Sequence, residues 1–315
     1  MEPVIDWLMQ GDAAIRWQAL RDLLDAPEAE WRAEQQRTLS DGWGAKLLAF
    51  QEPNGGWGGG IYSPKWISAT YTLLMLCGIG IPADHQAARK GAELVLSELL
   101  GDQVDAPFKQ KLAALDRCIV GMVLQIAVYF GIQDERIPAI VDNLLDERMG
   151  DGGWNCRRVR VPRPHHSSFH TTFNVLEGLR CLIEQGGSYR IEEVLKAEQA
   201  ALDLMLAHRL YRSDKTGQVI QSRFSLLSYP YRWKYDLFRG LAYFARIDAP
   251  RDERLQDAIA VLSAKRREDG AWPLEYKHSG KVFFDMEKVG GASRWNTLRA
   301  LRVMRWWESE PMSTE

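Results

Sequence analysis

Cys118 and His170 each stand at the head of a strongly apolar run, and Cys156 follows Trp154 in a Gly-rich turn leading into the run that holds His170. Thiolate and imidazole are donors that zinc favours, and three protein ligands with an open position mark a catalytic zinc. The plainer reading makes Cys118 a small buried hydrophobe and His170 a helix cap. A second group lies between them in CRRVRVPRPHHSSFH, where Arg157, Arg158, Arg160 and Arg163 sit beside His165 and His166. Arginine forks next to a helix start at Ser167 and Ser168 suit a phosphate or diphosphate, and a solvated basic loop is the alternative. His166 and His170, four residues apart, share one face if the helix starts early. That would put His166 among the residues where reaction chemistry would sit.

Asp236 lies in YRWKYDLF, on an otherwise apolar run. An unpaired buried carboxylate is costly. Asp236 is therefore either a general acid or base whose pKa burial raises, or the partner of Lys234, Arg232 or Arg239. Asp285 and Glu287 allow the same two readings, with a solvated loop the simpler. A last set is aromatic: Trp66, Tyr71, Phe173, Tyr229, Tyr231, Trp233, Tyr235 and Trp295 fall at the heads of apolar runs. Brought to one axis, such residues line a space for an apolar chain or a carbocation; singly, each also fits ordinary core packing.

The elements that would position these residues are helical. Period-2 runs of β-branched residues are short, and helical spacing dominates. GAKLLAFQEPNGGW, ending at Trp57, couples an amphipathic helix to a Gly-rich stop and a tryptophan, with weaker copies ending at Trp154 and Trp272. Runs apolar on nearly all sides, the mark of buried helices, alternate with two-faced ones. Buried-type runs recur near positions 17, 71, 118, 173, 235 and 295, at intervals on the order of 50 residues, the length of a helical hairpin with its loops. The first and last units, RWQALRDL and RWNTLRAL, resemble each other most, as they would if they met. The expectation is an all-α chain, a single (α/α)6 toroid of six helical hairpins, with residues 1–315 as one domain.

Composition narrows the function classes. A net charge of -2 favours neither nucleic acid nor an anionic membrane. No apolar run approaches the roughly 20 residues of a membrane span, and MEPVIDWLMQGD lacks the features of a signal peptide. The four cysteines are far apart and form no CxxC, so the expectation is reduced thiols in the cytoplasm.

The Trp57 segment and its copies resemble the Gln-Trp (QW) motif of terpenoid cyclases. The hairpin period is similar to the α/α toroid of squalene-hopene cyclases and of protein prenyltransferase β subunits, over essentially the whole chain. Triterpene cyclases of that superfamily use two toroids and an Asp-x-Asp-Asp acid. This chain has room for one toroid and no adjacent aspartates, so the resemblance does not extend to squalene cyclisation. In the prenyltransferases an Asp-x-Cys pair at one inner-helix head and a His at the next hold zinc. Asp116, Cys118 and His170 match those positions, whereas the family's glycine-rich loop and final His-Thr motif are not recognisable. Protein prenylation would also need an α-subunit partner. Cys156 is an alternative to Asp116, and a Cys/Cys/His set also resembles the zinc site of lanthionine cyclases.

These readings lead to a prenyltransferase- or terpene-cyclase-like protein whose central cavity takes an apolar or isoprenoid-like ligand, with zinc as candidate cofactor. The candidate metal ligands are Asp116, Cys118, Cys156 and His170, with Asp236 and His166 for acid–base chemistry. Trp66, Tyr71, Arg157, Arg158, Phe173, Trp233, Tyr235 and Trp295 are the candidates for substrate contact. A non-catalytic ligand- or protein-binding toroid, and a zinc-dependent hydrolase or thioether-forming enzyme, are the alternatives.

Overall fold

A computed structural model describes residues 3–156 and 164–309. In chain order the first α-helices are α1 (Pro3–Met9), α2 (Ala13–Asp22), α3 (Glu28–Gln36), α4 (Gly42–Ala49) and α5 (Ala69–Ile79). Next come α6 (Gln86–Leu99), α7 (Ala106–Ala114), α8 (Arg117–Tyr129), α9 (Arg136–Asp146) and α10 (Phe169–Glu184). The last are α11 (Ile191–Ala207), α12 (Leu237–Arg246), α13 (Gln256–Ser263) and α14 (Arg294–Glu308). The only β-ladder among the described residues joins β1 (Trp272–Pro273) to β2 (Ala292–Ser293), antiparallel, with Trp272 opposite Ser293. The mostly helical expectation therefore holds. No single helix among the described residues is long and apolar enough to cross a membrane.

The chain forms two compact units. One comprises Lys46–Leu204 with Gly280–Phe283; the other comprises Met1–Ala45, Met205–Ser279 and Phe284–Glu315. In the first, α5 packs on α6, α8 on α9, and α8 on both α5 and α10. α8 is buried along nearly its whole length, while α6 buries only Ala88, Gly91, Ala92, Val95 and Leu96. That i, i+3, i+4 stripe is what an outward helix needs. α11 is tied to α10 by the Arg180–Glu198 ion pair.

The three tryptophan turns are one device used three times. Trp57, Trp154 and Trp272 are each buried, and each indole N–H donates to the carbonyl ten residues back: Leu47 at 2.8 Å, Leu144 at 2.6 Å and Leu262 at 2.8 Å. Those carbonyls lie in the last turns of α4, α9 and α13, where helix geometry leaves acceptors without donors. The intervening turns close identically. Glu52, Met149 and Arg267 donate to Gly56, Gly153 and Ala271, and accept from Gly55, Gly152 and Gly270. Those last three glycines have φ of 98°, 103° and 82°, a left-handed backbone where a side chain would be strained. Gln51 donates to both Gly55 and Ala87, clamping the first turn to α6.

In the other unit, α2 packs on α14 and α14 on α12. Arg302 of α14 donates to Gln18 and pairs with Asp22, and Arg305 pairs with Asp25. The first and last inner-type helices thus meet, as their matching sequences suggested.

Some helices begin later than the apolar pattern implies. SPKWISATYTLLMLCGIGIP is helical only from Ala69, because Ala69 and Thr70 donate to Gly60 and Ile61 of the preceding loop. YRWKYDLF becomes helical only at Leu237, where the Asp236 carboxylate caps the Arg239 N–H at 2.7 Å. Trp66, Tyr229, Tyr231, Trp233 and Tyr235 consequently lie in the loops before the helix heads. α7 carried no recognised periodicity; Asp105 caps it and Pro107 lies in its first turn.

Candidate metal centre

α8 and α10 touch backbone to backbone. A Cβ placed on Gly121 would lie 2.4 Å from the Asn174 carbonyl oxygen, and one on Gly178 would lie 2.4 Å from the Gly121 oxygen. Only glycine permits this approach. One turn before Gly121 is Cys118; one turn before Asn174 is Thr171. The close crossing therefore brings these two side chains together at the heads of the helices. Arg117 holds the head of α8 in place: it is buried and donates to the Leu112, Ala113 and Leu115 carbonyls and to Asn143. Those bonds also satisfy the C-terminal carbonyls of α7.

Cys156 reaches this point from the stretch just after the Trp154 turn. Its Sγ lies 3.2 Å from Cys118 Sγ and 3.2 Å from Thr171 Oγ1. One carboxylate oxygen of Asp116, the residue preceding α8, joins them, and the three donor atoms all lie within 4.8 Å of one another. Tyr62 faces the group from the loop before α5. Its ring lies 5.3 Å from that of Tyr71, which in turn meets Trp66 edge-on at 4.7 Å. The loop is fixed by the Thr70 side chain donating to the Ile61 carbonyl, and Trp66 and Lys65 are paired with Lys281 through backbone hydrogen bonds.

The electrostatics separate the two thiols. The hydrogen bond between the two sulfurs holds the Cys156 thiol down to about 7, against the opposing effect of burial and with help from Thr171. Cys118, only 7% exposed, is pushed up by that same bond and by burial. Burial, with the charges of Cys118, Asp116 and Cys156, raises the Tyr62 phenol to about 12. Two sulfurs and one carboxylate oxygen make a soft, anionic set that fits zinc better than calcium or magnesium, whose sites are built from oxygen.

His170 occupies the first turn of α10, half-buried and next to Thr171, but its ring nitrogens are not part of the 4.8 Å group. Its carbonyl accepts from Asn174 at 2.5 Å. His166 is exposed, and its carbonyl accepts from Asn155 at 2.6 Å. Phe173 is fully buried in α10. Arg157, Arg158, Arg160 and Arg163 lie outside the described residues. Thr171 and Tyr62 were missed from the sequence; Tyr62 follows three glycines, where periodicity carries no information.

The remaining candidates belong to the other unit. Asp236 is 2% exposed; beyond capping α12 it accepts from Ser228 Oγ at 2.5 Å. Its pKa is raised by burial, with the Arg299 charge opposing. Arg239 also lies close enough for its charge to favour the carboxylate, and its guanidinium donates to the Lys234 carbonyl. Tyr235 is buried and donates to the Leu210 carbonyl at 2.6 Å. Trp295 stacks on Tyr229 at 4.8 Å and on Trp43 at 5.9 Å. Trp233 lies 3.7 Å beneath the Lys234 ammonium. Glu287 is not the solvated loop residue expected: it accepts from the Arg294 N–H at 2.6 Å and from Ser293, capping α14. Asp285 is exposed and pairs with Lys277.

No family model matches the chain, and no curated protein matches it. Two solved structures similar to it are both of the type II terpene cyclase MstE from Scytonema. One, a variant holding the substrate geranylgeranyl dihydroxybenzoate, is 14% identical, covers 82% of this chain and 69% of its own, and gives a TM-score of 0.39. The other, a variant holding the product merosterolic acid A, is 14% identical, covers 94% of this chain and 87% of its own, and gives a TM-score of 0.41. At that identity no active-site residue of the cyclase is carried over to this chain.

Proposed function

We propose that the chain is a zinc-dependent enzyme of the prenyltransferase- and terpene-cyclase-like class, acting on an apolar or isoprenoid-like substrate in a reducing, cytoplasmic setting. In this reading six helical hairpins close into one α/α toroid, and Asp116, Cys118 and Cys156 hold the metal. The observation that carries it is the gathering of those three donor atoms within 4.8 Å beside the Tyr62, Tyr71 and Trp66 rings.

Zinc in such a site supplies Lewis acidity and holds a sulfur ligand as thiolate at neutral pH. Asp116, Cys118 and Cys156 would supply three protein donors to such an ion, the number usual in catalytic zinc sites. The chain's own residues do the rest. The Thr171 hydroxyl, 3.2 Å from Cys156 Sγ, is placed to donate to that sulfur and orient it. Tyr62, with its phenol raised to about 12, stays protonated near neutral pH and would be available as a hydrogen-bond donor.

The test is zinc content of the purified, zinc-loaded chain together with native mass spectrometry of any retained ligand. One zinc per chain, lost in Cys118→Ala and in Cys156→Ala, is the expected result. A content near zero after loading would remove the zinc reading, and failure to retain farnesyl- or geranylgeranyl-length probes would remove the isoprenoid one. A second reading, binding without turnover, draws on Asp236, whose two carboxylate oxygens are taken up by the α12 cap and Ser228. It would be favoured if those probes bind and are recovered unchanged.

A further inference from the structure

We propose that Cys118 and Cys156 are a redox-active dithiol, a modification site at which a small organic disulfide closes an intramolecular disulfide and withdraws both sulfurs from the metal position. The withdrawal of metal ligands rests on the zinc reading above; the dithiol does not.

The geometry is close to that of the product. The sulfurs lie 3.2 Å apart, and a disulfide needs about 2.05 Å, a difference that small side-chain rotations can cover. Cys118 is fixed in the first turn of α8, whereas Cys156 sits in the irregular stretch after the Trp154 turn, outside any helical ladder. Exposure sets the order of events. Cys156 is half-buried and Cys118 buried, so an external disulfide meets Cys156 first.

The Cys156 thiolate attacks one sulfur of RS–SR. The S–S bond breaks, RS⁻ leaves and takes a proton from water, and Cys156 carries –S–SR. Cys118 then attacks Cys156 Sγ, expelling the second RS⁻, which takes up the proton Cys118 gives away. Two thiols lose two electrons and two protons, and RS–SR becomes two RSH. Thiol pairs that oxidise in reducing compartments are usually catalytic or redox-sensing rather than structural.

The experiment treats the chelator-stripped full chain with glutathione disulfide, quenches with acid, alkylates, and maps peptides. The chain has four cysteines; the expectation is that two stay alkylatable, Cys77 and Cys181, and that one peptide pair is joined through Cys118 and Cys156. Cys118→Ser should trap one glutathione on Cys156, and Cys156→Ser should trap none on Cys118. Recovery of Cys118 and Cys156 as free thiols, or linkage to Cys77 or Cys181 instead, would overturn the proposal. The two readings fail separately. A disulfide in a chain that never holds zinc leaves the dithiol standing and removes the metal. One zinc per chain with no disulfide in stripped protein does the reverse.

Discussion

Replacing Gly121 by alanine tests the physical link between the helix crossing and the thiol pair. The new Cβ would lie 2.4 Å from the Asn174 oxygen, 2.7 Å from its carbonyl carbon and 2.7 Å from Val175 Cα, where ordinary contact begins at 3.4 Å. All three are backbone atoms, so no side chain can swing away. α8 and α10 must part by about 1 Å there, and overpacking of this kind costs about 1–3 kcal/mol. In a chain of 315 residues, unfolding as one unit at about 2.1 cal/mol/K per residue, each kcal/mol lowers Tm by about 1.5 °C. Cys118, one turn along α8, moves with its helix away from Thr171 and Cys156. A ligand set disturbed through its support loses about tenfold to a hundredfold in metal affinity. Thermal melts followed by circular dichroism, and zinc competition against a chromogenic chelator, read the two effects separately. Gly150→Ala, where a Cβ meets nothing within 4 Å, is the control and should match wild type in both. A Gly121→Ala protein that melts with wild type would refute the backbone-contact argument. One that melts early yet binds zinc unchanged would refute the coupling to the site.

Three further outcomes are expected. Trp154→Phe keeps a ring but strips the Leu144 carbonyl of its donor, at on the order of 1–3 kcal/mol for a buried unsatisfied group; Trp57→Phe and Trp272→Phe should cost alike in urea titrations, and one neutral replacement would end the claim that the three turns are equivalent. In chelator-treated protein the rate of Cys156 alkylation should rise with a midpoint near pH 7, and Cys118→Ala, lacking the partner sulfur, should move that midpoint upward; an unmoved midpoint would mean another group holds the thiolate. Burial raises the Asp236 pKa in the folded chain above its unfolded value. Its contribution is therefore fully present below the ordinary carboxylate range, about pH 4, and is lost as pH rises through the raised value. Asp236→Asn keeps a capping side chain and should lose less stability than wild type between about pH 4 and neutrality; parallel curves for the two proteins would contradict this.

What the sequence disclosed and what it withheld divide along physical lines. The tryptophan turns were legible because glycine, a turn and a buried indole leave a fixed spacing. Cys118 was legible as the head of an apolar run, and Cys156 because it follows the Trp154 turn that leads into the run holding His170. Asp116 entered by family likeness alone. Tyr62 and Thr171 were silent: one follows a glycine run with no period, and the other is an ordinary helix-head threonine until the Gly121 crossing puts it against sulfur. The helix starts at Ala69 and Leu237 were read too early, since apolar content continues into loops whose backbone hydrogen bonds go elsewhere. Glu287 looked solvated because a cap is defined by the N–H groups it meets.

The pairing of α2 with α14 has a consequence for synthesis. Arg302 reaches Gln18 across 284 positions, and Arg305 reaches the Asp22 carbonyl across 283. Contacts this distant in sequence form slowly and late. The Lys46–Leu204 stretch, whose only other piece is four residues long, leaves the ribosome nearly whole and can gather its helices during translation. α2, which also packs on α1 and α3, must wait for its α14 partner until most of α14 has emerged. During that interval the apolar face of α2, with Ile15, Trp17 and Leu20, is what a nascent-chain chaperone would meet.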